Sequence, residues 1–434
     1  MALVILAGLS LAHAVRAGET VRLLVLDQDA HATSHFNAGA VFNVVAPPVD
    51  AWISAELSAA VVPEIEYISA LAVSPVDERV WIADRRALAA DRGRIGSVEC
   101  GTNLLESSVH AVLDEPRGLA FAEDGRLALV DADADPSGLG LDAAGGRGPG
   151  ALFSIDTTTG APSLLADGTL HSPLAGVPDG ASVFVDPVSL AWASPDELVV
   201  VDRLADPLGL GHQGAVFHVD VTTGEVELLA SHAAFVDLRS VTALPDGRVI
   251  AVDGLAGDSI VWQVEPAPSD PATNALALST SEHYQQLSSV ASDESGRIYL
   301  TDLGLFDAPT GRFLIRPSLW RLGAGGEPEL LHRSDSGLIT PIGLSVRHAC
   351  PAPDLEGYAV STRLLTGLPI SEAFACGGEW PFCVAAVVSV GDLADDFVLP
   401  GRAAPETPGI TFFSHAFFPD TRLSKDGDDL ILSR

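Results

Sequence analysis

The chain has 434 residues, 47% of them hydrophobic, with 41 glycines and 29 prolines, a composition that excludes a disordered polymer and fits a turn-rich globular protein. Acidic residues outnumber basic ones by 58 to 24, a net charge of −34; such a surface repels phosphate backbones and anionic lipid, which excludes nucleic acid and polybasic membrane docking. Lys425 is the sole lysine, which argues against Schiff-base chemistry.

Residues 1–17 hold the apolar run LVILAGLSLAHA, and Ala12-His13-Ala14 fits a small-x-small cleavage site. As a signal peptide this stretch implies a secreted or periplasmic protein. A second reading competes: GLSLAHA at 8–14 echoes GLSVRHA at 343–349, as a first inner strand would. That reading implies a cytoplasmic protein or a truncated reading frame. No other stretch is apolar enough to span a membrane.

Six short apolar runs, each ending in aspartate, then recur along the chain. RLLVLD ends at Asp27, RVWIAD at Asp84, RLALVD at Asp131, ELVVVD at Asp202, RVIAVD at Asp253 and RIYLTD at Asp302, at intervals of 57, 47, 71, 51 and 49 residues. An apolar stretch and a tight turn recur before the run, as in GLAFAEDG at 118–125, SVTALPDG at 240–247 and SSVASDESG at 288–296. Asp-Gly suits such turns because glycine accepts positive φ. A third strand follows a variable loop, GALFSID before TTTGA and GAVFHVD before VTTGE, and a fourth follows the Thr-Gly turn, as in EVELLA at 225–230.

Runs of this length, bounded by turn residues, are strands, and four antiparallel strands per unit of this size make a propeller blade. The chain is therefore expected to be all-β, a single β-propeller of four-stranded antiparallel blades over residues 18–400, with 401–434 as a closing segment. Seven blades are counted, with six as the alternative. Residues 20–65 read as strands two to four of one unit and 341–400 as a degenerate unit.

PRGLAFAEDGRLALVD, RIYLTD and VFHVDVTTGE resemble NHL and YWTD repeats and the gluconolactonase-like (regucalcin-type) propellers, over about residues 66–346. The resemblance implies architecture; these families range from hydrolases to binding modules. Gluconolactonase-like enzymes hold a divalent metal at the channel mouth with Glu, Asn and Asp. Here the asparagines are Asn37, Asn43, Asn103 and Asn274, none where a second strand ends or an inner strand begins.

Asp27, Asp84, Asp131, Asp202, Asp253 and Asp302 are expected to ring the channel mouth. They are candidates for holding a divalent cation, calcium or magnesium, or for capping their own strands by accepting backbone N–H bonds. The second role is favoured, because one active site needs no sixfold repetition. The loop DADADPSGLGLD places Asp131, Asp133, Asp135 and Asp142 at spacings that suit calcium, although Pro136 stands where an EF-hand needs glycine. Asp27, Asp29, His31 and His35 lie in the equivalent loop of the first unit.

Cys376 and Cys383 bracket GGEWPF and are a candidate disulfide; with Cys100 and Cys350, three pairings are open. Trp81, Trp192, Trp262 and Trp320 fall in strands and read as core, whereas Trp380 falls in a loop. No G-x-S-x-G, H-E-x-x-H or P-loop occurs.

Loops 132–149, 203–213, 303–316 and 363–380 are expected on one face, where propellers bind. The leading expectation is a non-catalytic, monomeric, extracytoplasmic binding or scaffold protein, using that face toward a protein or small molecule. The rival is a metal-dependent hydrolase of the lactonase or esterase kind.

Overall fold

The second strands of the repeat are apolar on both faces. Leu127–Asp131, Val249–Asp253 and Ile298–Asp302 are buried at every position. A strand that is covered on one side only alternates, so continuous burial places these strands between two neighbouring sheets. The computed structural model shows that arrangement. It describes residues 21–28, 40–46, 52–56, 67–87, 92–98, 105–109, 112–134, 148, 150–167, 183–209, 211, 214–255, 257–266, 270–280, 282–307, 312–323, 325–333, 340–346, 396–400, 422–426 and 429–433.

Six four-stranded antiparallel sheets are the blades of a β-propeller. The second blade is Ile68–Val73, Val80–Ala87, Arg92–Val98 and Leu105–Val109, from the channel outward. The third is Pro116–Phe121, Leu127–Asp131, Ala151–Ile155 and Pro162–Ala166, and the fourth is Pro187–Ser194, Glu197–Asp202, Ala215–Asp220 and Val226–Ala230. Leu238–Ala243, Val249–Asp253, Ile260–Val264 and Leu276–Thr280 make the fifth; Leu287–Ser292, Ile298–Asp302, Ser318–Leu322 and Pro328–Arg333 make the sixth.

The first blade joins the two ends of the repeat region. Its outer strands are Val21–Asp27, Ala40–Ala46 and Trp52–Glu56, and its inner strand is Pro341–Ser345. That strand packs on the inner strands of both the sixth and the second blades, so the described inner strands form a closed cycle of six. Among the described residues there is no seventh such sheet, and six is the alternative count: the partial unit at 20–65 and the start of the unit at 341–400 share one sheet. This joint closes the cycle of inner strands, while the outermost strand of each blade remains a short edge. Asp396–Pro400 pairs instead with Asp429–Ser433 and Arg422–Asp426 in a separate three-stranded sheet. Residues 1–17 lie outside the described residues, although the place beside Val21–Asp27 is filled by Pro341–Ser345.

Neighbouring blades share hydrophobic layers. Trp81 and Ile95 meet Leu119, Leu129 and Phe153; Leu152 meets Leu190, Val200 and Phe217; Val199 and Val216 meet Val241 and Trp262; Ile250 and Val252 meet Leu287, Leu300 and Trp320. Each such side chain contributes about 1.5–3 kcal/mol by burial, so the layers dominate the cohesion of the ring. Trp81, Trp262 and Trp320 are buried as expected, and Trp192 packs partly buried with its indole N–H on the Ala120 carbonyl at 3.1 Å.

The echoed turns explain themselves in atoms. Asp156 Oδ1 accepts the N–H groups of Thr158 and Thr159 at 2.8 and 3.1 Å, and Asp220 Oδ1 those of Thr222 and Thr223 at 2.7 and 2.9 Å. Gly160 and Gly224 close the two turns at φ 72° and 75°, where a side chain would be strained.

Where inner strands meet, serine hydroxyls stitch them together. Ser69 Oγ donates to the Pro116 carbonyl at 2.5 Å and Ser288 Oγ to the Pro341 carbonyl at 2.6 Å. Ser189 Oγ accepts from Val241 N–H at 3.3 Å, and Ser240 Oγ from Val290 N–H at 3.2 Å. At the closing strand, a Cβ on Gly343 would lie 3.0 Å from Leu26 Cβ and 3.3 Å from Leu71 Cδ2. Gly343→Val is therefore expected to lower stability by about 1–3 kcal/mol through overpacking, read as a lower urea midpoint; an unchanged midpoint would show that this strand does not carry closure.

Candidate functional site

The six repeated aspartates end the second strands and are all buried. Each accepts backbone N–H groups from the residues that lead into its own blade's inner strand. Asp27 takes Thr340 N–H at 3.0 Å and Asp84 takes Tyr67 N–H at 3.0 Å. Asp131 takes Asp114 and Glu115 at 2.8 and 2.9 Å, Asp253 takes Val236 and Asp237 at 2.7 and 3.0 Å, and Asp302 takes Gln285 and Gln286 at 2.7 and 3.1 Å. Asp202 holds four residues, Val185, Asp186, Leu204 and Ala205, at 2.7 to 3.1 Å.

A second bond repeats with the first. The N–H of the residue after each aspartate donates to the carbonyl of the lead-in residue: Gln28 to Thr340, Arg85 to Tyr67, Ala132 to Glu115, Arg203 to Asp186, Gly254 to Asp237 and Leu303 to Gln286, all at 2.9–3.0 Å. The backbone of the mouth is thus the same in all six blades. What differs from blade to blade is the side chain placed at three positions: the lead-in residue, the residue after the aspartate, and the second residue of the inner strand.

In the second to fifth blades these positions carry charge. Arg85 and Arg203 follow the aspartates, Arg117 and Arg239 are second in their inner strands, and Glu115, Asp186 and Asp237 are lead-in residues. Glu115 Oε1 accepts Arg117 at 2.6 Å and Arg85 at 3.4 Å. Asp186 Oδ2 accepts Arg203 Nε at 2.7 Å, and Asp237 Oδ2 accepts Arg239 Nη2 at 2.6 Å. The sixth and first blades place neutral groups at the corresponding positions, including Gln28, Thr340, Ser288 and Leu303. All four arginines line the central channel, a cavity of about 520 Å³.

Gly254 is where this arrangement needs a residue without a side chain: a Cβ there would lie 2.5 Å from Arg239 Cδ and 2.2 Å from the Leu287 carbonyl oxygen. Burial lowers the pKa of Arg117; Glu115 opposes that shift, and Arg85 and Arg203 add to it by repulsion. Burial also pushes the carboxyls of Asp131 and Asp202 up to about 6, against the backbone bonds that pull them down. Asp253 and Asp302 are raised by the same cause.

The repeated aspartates do not fit a divalent cation, because their oxygens face the N–H donors that a cation would displace. Among the described residues no group of three or more His, Cys, Asp or Glu side chains could hold a metal. Of the acidic loop, Asp131 and Asp133 are described, and Asp133 N–H donates to Asp131 Oδ1 at 3.0 Å. Asp135, Asp142, Asp29, His31, His35, Trp380 and all four cysteines, with the Cys376–Cys383 pair, lie outside the described residues.

Reading by residue type missed the arginines. A signal was available in the alignment of the repeat, since Arg85 and Arg203 directly follow the recurring aspartate.

The described part of the loop at 303–316 forms a hairpin, Leu305–Asp307 with Arg312–Ile315, on which Phe306 and Phe313 meet edge to face. Phe306 and Leu314 are exposed there. So are Val185, Leu204, Val236 and Leu255, all beside the mouth.

No family model matches the chain, and no curated protein matches its sequence. Some solved structures are similar to it. A nidogen/laminin complex aligns at 14% identity over 76% of this chain and 100% of that one, with a TM-score of 0.49. The calcium-binding protein regucalcin from Agrobacterium tumefaciens aligns at 18% identity over 62% and 75%, TM-score 0.40. A gluconolactonase from Xanthomonas campestris aligns at 13% identity over 75% and 90%, TM-score 0.43.

Two expectations follow from the buried aspartates. Asp131 and Asp202 bind protons more tightly folded than at the ordinary value of 3.8. Their contribution to stability is therefore full below about pH 4 and is lost as pH rises through 6. Relief of the net negative charge acts in the same direction, so the melting temperature is expected to rise between pH 7.5 and pH 5. Asp202→Ala leaves the four N–H groups without their acceptor and is expected to cost about 3 kcal/mol in urea denaturation, with a shallower pH dependence of melting. An Asp202→Ala protein as stable as its parent would remove the aspartate from the account of the fold.

Proposed function

We propose that this chain is a non-catalytic extracytoplasmic binding propeller whose working end is the face around the channel mouth. The carrying observation is the chemistry of the mouth. The six repeated aspartates accept backbone N–H groups, Glu115, Asp186 and Asp237 accept arginines, and four guanidinium groups line the channel. Such a lining repels a divalent cation and supplies hydrogen-bond donors in a fixed arrangement, which is a binding function.

The exposed apolar side chains beside the mouth support the same end of the molecule, since loops gathered on one rim of a rigid scaffold are where binding residues collect. The extracytoplasmic placement rests on the apolar leader at 1–17 with its small-x-small site. Among the described residues no helix is long and apolar enough to cross a membrane.

The rival, a metal-dependent lactonase or esterase, requires a carboxylate and amide ligand set over the channel. The described mouth residues offer arginines in its place. EDTA-stripped protein is expected to show no hydrolysis of lactones or aryl esters when calcium or magnesium is restored, and no rise in melting temperature at millimolar metal. Metal-dependent turnover abolished by Asp202→Ala at a temperature where that variant remains folded would overturn the binding reading.

A further inference from the structure

The arginines of the mouth are unusual for this molecule. The chain has 24 basic residues among 434 and a net charge of −34, yet four arginines from four consecutive blades converge on one channel. Of the described carboxylates, those of Glu115, Asp186 and Asp237 bond to them. Two of the arginines share a single carboxylate oxygen, Glu115 Oε1, with Arg85 held at the long distance of 3.4 Å. The Nε–H groups of both Arg85 and Arg117 are buried without a hydrogen-bond partner.

Gathering like charges where water is scarce is costly without a counter-charge. The lowered pKa of Arg117, traced to burial and to Arg85 and Arg203, is a symptom of that cost. A backbone that is identical in six blades but bears charge in four has been varied at the side chains alone. The neutral positions opposite, Gln28, Ser288 and Thr340, offer hydrogen bonds without adding charge.

We propose that the arc of Arg85, Arg117, Arg203 and Arg239 is a recognition site for the carboxylate group of a small organic acid held in the channel mouth. This rests on the reading of the mouth as a binding site and adds the ligand class. The buried aspartates behind the arc, Asp84, Asp131, Asp202 and Asp253, oppose a multiply charged phosphate more than a monocarboxylate. The planar guanidinium fork matches a carboxylate in two-point geometry. A cavity of about 520 Å³ admits a small molecule. The global negative charge opposes an acidic macromolecule more than a small monoanion, because screening confines the repulsion of a small ion to about 8 Å at physiological salt.

The test is calorimetric titration of the full chain with butyrate and benzoate, with butyramide and benzamide as uncharged counterparts and inorganic phosphate as the competing anion. Saturable binding of a carboxylate, at least tenfold tighter than of its amide and weakened by raising salt from 20 to 500 mM (roughly a fivefold fall in Debye length), is the expected result. Arg117→Gln and Arg203→Gln should each lose tenfold or more, with Arg117→Lys recovering only part.

Should a glutamine variant fail to fold, the parent protein supplies a second readout. Modification of arginines by phenylglyoxal should slow when benzoate is present and not when benzamide is. Equal binding of acid and amide, tighter binding of phosphate, or no saturable binding of either acid would overturn the carboxylate assignment. Those outcomes are distinct from metal-dependent lactone hydrolysis, which would instead overturn the binding reading beneath it.

Discussion

The interaction on which this propeller depends is a buried carboxylate that accepts the backbone N–H groups of the segment leading into its own blade. Burying a carboxylate costs several kcal/mol unless its oxygens are satisfied. Asp202, with N–H donors from four residues, shows how that cost is met. The bond is local within each blade, yet its effect is global: it fixes where the inner strand begins, and the six inner strands together define the channel. The returning bond, from the residue after the aspartate to the lead-in carbonyl, completes a small closed circuit of backbone at each blade tip.

That circuit separates scaffold from site. The repeated residues cannot be tuned without loosening a blade, whereas the side chains at the three mouth positions, Gly254 excepted, can change because their backbone is already held. Charge in blades two to five and neutrality in blades six and one are the outcome of that freedom. The ring that holds the mouth is cohesive for a different reason, the apolar layers between sheets, supplemented by serine hydroxyls bridging inner strands. Chemistry at the mouth is therefore mechanically supported but energetically separate from the core.

Much of the fold was legible in the chain because a blade is a local object. The apolar run ending in Asp131, the turn at Asp124-Gly125 and the paired Thr-Gly turns at Gly160 and Gly224 each lie within a few tens of residues of their partners. The choice between seven blades and six is not legible in the sequence because the first blade is not local: Val21–Asp27 pairs with Pro341–Ser345, more than three hundred residues away, and neither half announces the other. At the mouth, the aspartates were visible through their repetition. The arginines were not, since Arg117 and Arg239 look like ordinary surface residues until the inner strands are wound around one axis.

The sequence by itself determined the strand order within a blade, the turn chemistry and the acidic character of the molecule, because hydrophobic alternation, glycine at positive φ and net charge are properties of short segments or of composition. Only the tertiary structure decided that the ends close into one shared blade and that four arginines from separate repeats meet at one channel. Both depend on ring closure, a condition no segment can satisfy alone: the inner strands converge only when the last apolar layer is sealed, and convergence is what turns four scattered guanidinium groups into a site.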